Sequence, residues 1–291
     1  MAGLTPSIAA IAALNLTIAS AKLSTKTIRP RLIDLKYTFV NITGTSSEMR
    51  NVALIFLHIL RGALTLSFFF PFIDDQKKQE HIQRWSKKLL TIFKIELKIR
   101  GAELLPNSPY LLASNHISWL DIHVINAFRP VRFVAKSEVA SWPVFGWMAK
   151  QLRTVFIRRD SSRHARLVVG QVAGVLKTES ICIFPEGTST VGDEVLPFKP
   201  NLFESALEAG VPTFPLAIQY FSTITGKRSY SPAFIGDMGL LGSMANVVQN
   251  RHLGVELCFL PQLHQTPGDI IDRKQLALHA EESISKALKS H

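Results

Sequence analysis

From about residue 96 to the end of the chain, short apolar runs alternate with amphipathic segments, and this alternation constrains the fold more than any other feature. Short apolar runs predict buried strands, whereas apolar residues that recur every three or four positions predict helices. Together they predict an α/β domain with a layered, largely parallel sheet and flanking helices. The predicted strands cover 95–100, 109–113, 131–135, 154–157, 180–184, 213–219 and 253–260. The predicted helices cover 118–128, 142–150, 162–177, 201–209 and 270–289, with a further short helix at 239–249.

The most apolar segment is residues 51–73, whose length would just span a bilayer. Arg61 lies in its middle, and an arginine at the centre of a bilayer is costly. Two interpretations stay open. The segment is either a transmembrane helix whose arginine is paired, or a helix that lies partly in the membrane with Arg61 facing headgroups or protein.

Residues 74–96 predict a basic amphipathic helix that begins at Asp74 and Asp75. Such a helix is commonly a packed helix with a solvated face, but the apolar segment before it favours an anionic membrane surface. Its apolar residues recur at three- and four-residue steps: Ile82, Trp85, Leu89, Ile92 and Phe93. Its basic residues are Lys77, Lys78, Arg84, Lys87, Lys88 and Lys94.

These patterns divide the chain into an extension or linker (1–48), a membrane-associating helical pair (49–95) and a larger domain (96–291). The extension begins with an apolar stretch that has no basic residue ahead of it, so no cleaved signal peptide is expected. We interpret the extension as loosely membrane-associated or disordered.

The formal net charge of +11 predicts an anionic partner, such as lipid headgroups, a phosphorylated substrate or nucleic acid. The basic residues lie beside apolar segments and form no recognisable nucleic-acid module, so nucleic acid is not expected. Cys182 and Cys258 each lie within an apolar run, which predicts two buried small side chains rather than a disulfide or a metal site.

The first group of candidate residues is NHISWLD, from Asn115 to Asp121, directly after a predicted strand. His116 and Asp121 are five positions apart, so they meet only if His116 lies in the strand-to-helix turn and Asp121 in the first helical turn. An aspartate on one imidazole nitrogen leaves the other nitrogen able to take a proton from a hydroxyl. The alternative is a surface histidine near a helix-capping aspartate. Ser118 lacks a nucleophile elbow, and His123 is a second, lower-ranked base.

The second group is IFPEGTST, from Ile183 to Thr190, which also follows a predicted strand. Gly187 permits close backbone approach, and the hydroxyl and backbone N–H groups of residues 188–190 can cradle an anion. Anion binding does not explain Glu186, which either orders the loop or hydrogen-bonds the acceptor. A Gly/Thr loop of this kind is weak support for a site when taken alone.

These groups resemble motifs of the glycerolipid acyltransferase family, which includes the 1-acylglycerol-3-phosphate and other lysophospholipid acyltransferases. Residues 116–121 match its H-x-x-x-x-D motif, and residues 184–188 match F-P-E-G-T. Residues 154–159, TVFIRR, resemble a further motif whose arginine, at the place of Arg159, is associated with acceptor binding.

A fourth, proline-containing motif of the family is associated with acyl-chain or acceptor contacts. Residues 211–215, VPTFP, resemble it and place Pro212 among the candidate substrate-binding residues. The resemblance covers roughly residues 80–220, with the motifs in the family's order.

The resemblance implies that His116, oriented by Asp121, deprotonates the acceptor hydroxyl, which attacks the thioester of acyl-CoA or acyl-carrier protein directly. No acyl-enzyme forms, and no cofactor or metal is implied beyond this co-substrate. Backbone N–H groups near His116 or Gly187 are candidates for stabilising the oxyanion. The residues implied to hold the acceptor are Arg159, Glu186, Gly187, Thr188 and Ser189, with charge added by Lys199.

Two departures bear on the acceptor. Many phosphatidate-forming members carry Arg-Ser after F-P-E-G-T, where this sequence has Ser189 and Thr190, and the family's small residue before Thr154 is Arg153 here. Arg153 and Arg158 would compensate for the missing arginine, because a guanidinium binds phosphate bidentately. The predicted acceptor is 1-acylglycerol-3-phosphate, giving phosphatidate. The alternative is another lysophospholipid or a lyso-aminolipid such as lyso-ornithine lipid.

Other functions fit less well. A lipase or thioesterase would normally need a nucleophile elbow or a metal site, and the sequence offers neither. A non-catalytic lipid-binding protein would not need both His116 and Asp121. Acyl-CoA and carrier protein are cytosolic, which predicts a catalytic domain on the cytosolic face of a membrane, attached peripherally or by one span. The predicted partners are membrane lipids, the lysolipid acceptor and the acyl donor.

Overall fold

The computed structural model describes residues 46–158, 162–263 and 272–290. Most of the predicted extension over residues 1–48 lies outside the described residues, and so does Arg159.

Within the described residues, two helices precede the sheet: α1 (Ser46–Phe68) and α2 (Asp75–Phe93), with a short 3-10 turn at Phe70–Phe72 between them. The Asp74 side chain caps α2 by accepting the backbone N–H of Lys77 at 2.8 Å, as the acidic pair at this point predicted.

A reciprocal contact between His58 and Trp85 holds α1 against α2. The two rings stack with centroids 4.5 Å apart. His58 Nε2 lies 3.0 Å from the Trp85 carbonyl oxygen, and Trp85 Nε1 donates to the His58 carbonyl oxygen at 3.2 Å. Gly62 makes room for this approach, because a Cβ there would lie 2.6 Å from Trp85 Nε1.

The domain that follows is built on one seven-stranded sheet with the order β1-β7-β6-β2-β5-β3-β4. Every neighbouring pair is parallel except β6 and β7, which run antiparallel. The carboxyl ends of β2 to β6 therefore lie at one edge of the sheet, where open α/β sheets place their sites. The strands are β1 (Glu96–Arg100), β2 (Leu111–Ser114), β3 (Arg132–Lys136), β4 (Val155–Ile157), β5 (Ile181–Ile183), β6 (Thr213–Ser222) and β7 (Leu253–Phe259).

Six helices accompany the strands in the part of the chain that the structure describes: α3 (Leu120–Phe128), α4 (Phe145–Gln151), α5 (Ser162–Leu176), α6 (Glu204–Ala209), α7 (Leu240–Gln249) and α8 (Arg273–Lys289). Short 3-10 turns lie at Ala102–Leu104, Ser137–Ser141 and Pro200–Phe203.

The sheet separates two hydrophobic cores, and successive residues of a strand point into opposite ones. On β2, Leu112 joins the core with α2, α3 and α7, whereas Leu111 and Ala113 join the core with α5, α6 and α8. On β5, Cys182 enters the first core between two isoleucines that enter the second. This alternation is the pleat of a strand buried on both faces, which explains why the strands appear in the sequence as continuous apolar runs.

The predicted α/β class and largely parallel sheet are confirmed, and each predicted strand and helix is present with ends shifted by a few residues. The segment predicted as one helix at 201–209 instead begins with the 3-10 turn before α6. The prediction of two buried cysteines is right for Cys182 only, because Cys258 is half-buried and its Sγ lies 3.5 Å from an Arg100 guanidinium nitrogen. The predicted division of the chain into three domains stays a prediction.

Candidate active site

The first candidate group lies at the carboxyl end of β2, in the centre of the sheet. Asn115, the residue after β2, uses its side chain to continue the pairing with β6. Its amide nitrogen donates to the Ile218 carbonyl oxygen at 3.0 Å, and its amide oxygen accepts the Ile218 N–H at 2.8 Å. The backbone is thereby fixed just before His116.

His116 lies in the turn after β2, and Asp121 lies in the first turn of α3, as the sequence spacing required. His116 Nδ1 is 2.8 Å from Asp121 Oδ2. The same oxygen accepts the backbone N–H groups of Ile117 at 2.7 Å and Ser118 at 2.9 Å. A carboxylate with these partners assigns the imidazole proton to Nδ1 and leaves the lone pair on Nε2.

The two groups of the pair differ in exposure. Asp121 is fully buried, whereas the His116 side chain is 22% exposed. The imidazole stacks on the Phe184 ring, with centroids 4.1 Å apart and an angle of 18° between the planes. The histidine can therefore meet a substrate, while the aspartate acts only through it.

Tyr220, on β6, contacts the same carboxylate and was missed by the sequence analysis. Its O–H donates to Asp121 Oδ1 at 2.7 Å, and the phenol is buried. A tyrosine within a buried strand is indistinguishable from a core residue in the sequence, so no local signal marked it.

Glu186 orders the loop after β5 and joins it to the histidine turn. Its Oε1 accepts the backbone N–H of His116 at 2.7 Å, and its Oε2 accepts the N–H of Leu196 at 3.0 Å. Burial raises the pKa of Glu186, and these two N–H groups act against that rise. Of the two roles predicted for Glu186, the geometry favours loop ordering.

The rest of this loop is tied to the histidine turn by further hydrogen bonds. Gly187 has the positive φ of 73° that favours glycine, and the Thr190 N–H donates to the His116 carbonyl oxygen at 2.8 Å. The Ser189 hydroxyl donates to the carbonyl oxygen of Phe234, whose own N–H donates to the Ile117 carbonyl oxygen at 2.9 Å. Ser189 is thus bonded within the protein, while Thr188 is exposed.

The backbone N–H groups expected to stabilise an oxyanion already have partners inside the protein. Those of His116, Ile117 and Ser118 donate to carboxylates. The Gly187 N–H donates to the Phe184 carbonyl oxygen at 3.0 Å. These four N–H groups are therefore engaged within the protein, and an oxyanion site near His116 or Gly187 stays a prediction.

Three basic residues lie at the same edge of the sheet as His116. Arg158 directly follows β4 and is exposed. Lys199 is exposed, and its backbone N–H donates to the carbonyl oxygen of Pro185, just after β5. Lys136, the last residue of β3, was not singled out in the sequence, although its place at the end of a parallel strand could have marked it. β4 is three strands from β2 in the sheet order, so the end of β4, which Arg158 follows, lies about 14 Å across the sheet from the end of β2.

Two predicted substrate-binding residues lie at the opposite edge of the sheet. Arg153 precedes β4 and forms ion pairs with Asp75 at 3.3 Å and with Glu179 at 3.9 Å. Pro212 precedes β6, and its carbonyl oxygen accepts the Leu111 N–H at 2.9 Å. It lies six residues before Ile218, or about 20 Å along the strand. Neither residue reaches the histidine, because each comes before its strand rather than after it.

His123, the second candidate base, lies on α3 and is half-buried. Its ring packs against Trp85 and Trp119, with centroid distances of 5.2 and 5.8 Å. Burial lowers the pKa of His123 to about 4, so the ring is neutral at ordinary pH. Among the described residues, no group of three or more His, Cys, Asp or Glu side chains is placed to hold a metal ion.

Comparison with known proteins agrees with the geometry. The family model described as Acyltransferase matches residues 96–219. A lyso-ornithine lipid O-acyltransferase from Pseudomonas aeruginosa is 34% identical over 220 residues, which are 75% of this chain and 82% of that protein. The chain belongs to the acyltransferase family. The resemblance seen in the motifs is confirmed, and the chain is an enzyme that transfers acyl groups.

Other relatives of this acyltransferase point to the same class. A 1-acyl-sn-glycerol-3-phosphate acyltransferase from Neisseria gonorrhoeae is 36% identical over 200 residues, 68% of this chain and 76% of that protein. The crystal structure of the 1-acyl-sn-glycerophosphate (LPA) acyltransferase PlsC from Thermotoga maritima has the same fold. It has a TM-score of 0.58, 22% identity, and covers 84% of this chain and 96% of that one.

Proposed function

We propose that this acyltransferase moves a fatty acyl group from acyl-CoA or acyl-carrier protein to the free hydroxyl of a lysolipid, with His116 as the general base. The observation that carries the proposal is the 2.8 Å contact between His116 Nδ1 and the buried Asp121 carboxylate. This contact leaves Nε2 of a partly exposed ring to accept a proton.

The reaction follows from that arrangement. Nε2 of His116 removes the proton of the acceptor hydroxyl as its oxygen attacks the thioester carbonyl carbon. The C–O bond forms and the C–S bond breaks. Asp121 stabilises the imidazolium, which then gives the proton to the leaving thiolate. The products are an ester and a free thiol, and no acyl-enzyme is required.

For the acceptor, two features favour lyso-ornithine lipid. Ser189, which stands where many phosphatidate-forming members of the family have an arginine, donates its hydroxyl to Phe234 instead of offering a cation. Arg153, which was predicted to replace that arginine, is paired with Asp75 at the other edge. The loop after β5 therefore carries less positive charge than the same loop in family members that have an arginine at the position of Ser189.

1-Acylglycerol-3-phosphate is the second candidate acceptor. Lys136, Arg158 and Lys199 lie at the carboxyl edge, and lysine and arginine side chains there would attract a phosphate dianion. The relative from Neisseria gonorrhoeae carries the name of that activity.

The choice between the two acceptors is tested by measuring acyl transfer to each of them with detergent-purified protein. We expect kcat/KM to be higher for lyso-ornithine lipid than for 1-acylglycerol-3-phosphate, with a labelled oleoyl thioester as donor. Ser189→Arg should shift the ratio of the two kcat/KM values toward the phosphate acceptor by about tenfold. Thr178→Arg, which adds the same charge before β5 at the opposite edge, is the control and should leave the ratio unchanged. A wild-type preference for 1-acylglycerol-3-phosphate would overturn the choice of acceptor but not the acyl transfer.

We also propose that the enzyme sits on the cytosolic face of a membrane through α1 and α2. Residues 53–72 are long and apolar enough to cross a bilayer, yet Arg61 lies exposed on α1 and no ion pair to it is found within residues 53–158. An unpaired arginine at this position favours a helix lying in the interface over a span. The large side chains exposed along this segment are Leu54, Phe56, Leu57, Leu60, Leu64, Phe68, Phe69 and Phe72, and basic residues exposed on α2 are Lys77, Arg84, Lys87 and Lys88.

Liposome flotation tests this attachment. Phe68 and Phe72 are 65% and 85% exposed, so replacing both with serine removes apolar contacts at little cost to the core. We expect the variant to bind vesicles containing anionic lipid at least about tenfold more weakly, since each phenyl ring contributes about 1.5–3 kcal/mol when buried. Leu167→Ser with Leu278→Ser, two exposed leucines on α5 and α8, is the matched control and should float like the wild type. Unchanged flotation of the phenylalanine variant would contradict attachment through this segment.

A further inference from the structure

The phenol of Tyr220 is a buried polar group in contact with the reacting pair, but it is too deep to meet a substrate. Tyr220 is 1% exposed, and its hydroxyl lies 2.7 Å from Asp121 Oδ1. It cannot contribute by touching the acceptor or the acyl donor. Any contribution to the reaction must pass through the carboxylate.

The Asp121 carboxylate needs every donor that it has, because it is fully buried. A buried charge is tolerated only when its lone pairs are satisfied. Oδ2 receives the His116 Nδ1–H and the N–H groups of Ile117 and Ser118, all from the histidine turn itself. Among the described residues, Tyr220 supplies the donor to Oδ1, and it comes from a different strand.

Tyr220 therefore fixes the orientation of the carboxylate relative to the sheet, whereas the other donors fix it only relative to their own turn. All the donors to Oδ2 belong to the turn that carries His116, so a shift of that turn would move the carboxylate and the imidazole together. β6, which carries Tyr220, is paired to β2 and, through Asn115, to the start of the turn that carries His116. The phenol and His116 are therefore held by the same pair of strands.

The tyrosine can act only as a donor in this contact. Burial and the neighbouring Asp121 charge raise the pKa of Tyr220 well above its usual value. The phenol keeps its proton at any pH at which the enzyme works, and an O–H group that donates to a carboxylate stabilises the ionised form.

We propose that Tyr220 is a positioning residue of the acyltransferase, whose O–H to Asp121 Oδ1 hydrogen bond keeps the carboxylate ionised and aligned so that His116 retains its Nδ1–H and presents Nε2 to the acceptor. The proposal rests on the function proposed above for His116. It adds a third member, from β6, to a pair that the sequence places within six consecutive residues.

The effect on pH dependence has a definite sign. The Tyr220 hydrogen bond stabilises the negative charge of the Asp121 carboxylate, so its loss is expected to move the acid limb of the pH profile of kcat/KM to higher pH. Within the part of the chain that the structure describes, the other titratable groups found to interact with the pair are Glu186 and Cys182, from β5 and the loop after it. Both are unchanged in a Tyr220 variant and cannot produce a difference between the two proteins.

Tyr220→Phe in the full-length, detergent-purified enzyme tests the proposal. We expect kcat to fall about tenfold, the loss typical of one hydrogen bond to a charged group, with KM for donor and acceptor nearly unchanged. The acid limb of the pH profile of kcat/KM should move to higher pH by about half a unit to one unit. Tyr110→Phe is the matched control, because that phenol is 2% exposed but lies before β2 at the opposite edge, facing Arg129. It should keep kcat and the pH profile of the wild type.

Thermal unfolding of both variants separates a role in catalysis from a role in packing. A Tyr220→Phe enzyme that keeps the wild-type kcat, or whose kcat falls without a shift of the acid limb, would overturn the proposal. If His116→Ala were fully active, the proposed function itself would fail. If His116→Ala were inactive and Tyr220→Phe were normal, only the role of Tyr220 would be withdrawn.

Discussion

Replacing His116 with alanine is expected to lower kcat for acyl transfer by about 10³-fold, the loss typical of removing a general base. His116 is the partly exposed member of the pair, and its Nε2 is the proposed acceptor for the proton of the lysolipid hydroxyl. Without the imidazole, the hydroxyl has to attack the thioester while still carrying its proton. The measurement is the rate of labelled ester formation from an oleoyl thioester and lysolipid by purified protein.

His123→Asn is the control for the His116 experiment, because His123 lies on α3, the helix that also carries Asp121. Its ring is enclosed by Trp85 and Trp119, so the variant is expected to lose stability but to retain most of the wild-type kcat at a temperature where it is folded. A His116→Ala enzyme with more than about a tenth of the wild-type rate would contradict the role of His116 as base.

Asp121→Asn is expected to reduce kcat by a comparable or larger factor, about 10³- to 10⁴-fold. An asparagine amide can present its NH₂ group where the imidazole needs an acceptor, which turns the histidine to the wrong tautomer. The amide also cannot satisfy all the donors that meet at Oδ2, from His116, Ile117 and Ser118. Each buried donor left unpaired costs about 1–3 kcal/mol, so the melting temperature should fall as well.

Rates for the Asp121 variant are therefore compared with Asp193→Asn. Asp193 also accepts hydrogen bonds, from Arg228 at 3.1 Å and Tyr230 at 2.9 Å, but it is exposed and is not bonded to His116. We expect Asp193→Asn to keep a rate close to that of the wild type. If folded Asp121→Asn protein worked at a rate similar to that of Asp193→Asn, the imidazole would not depend on the buried carboxylate.

Local features of the fold could be predicted from the sequence because each strand and helix has its own pattern of apolar residues. β2 and β5 lie between two cores, so their apolar runs are unbroken, and α5 and α8 repeat apolar residues on one face. The contact between His116 and Asp121 could also be predicted, because it too is local in the sequence. Both residues belong to one short turn, and their spacing left a single way for them to meet.

Features that depend on the order of strands in the sheet could not be predicted from the sequence. The antiparallel pairing of β6 with β7 leaves no mark in either apolar run. Pro212 was assigned to the site through the family's proline motif, and Arg153 as a replacement for the missing motif arginine, but each precedes its strand and lies at the far edge. Tyr220 was overlooked because its partner is 99 positions away in the chain and its own strand looks like ordinary core. Contacts of this kind are decided by tertiary packing, which one sequence does not reveal.

The most direct test of the account is the stoichiometry of a single reaction. Purified wild-type enzyme is given labelled oleoyl thioester with and without lysolipid, and free thiol, fatty acid and ester product are measured together. Direct transfer with His116 as base predicts one ester for each thiol released, and negligible thiol release when the lysolipid is left out. Thiol release at the same rate without an acceptor, with free fatty acid as the product, would show a hydrolase and contradict the account.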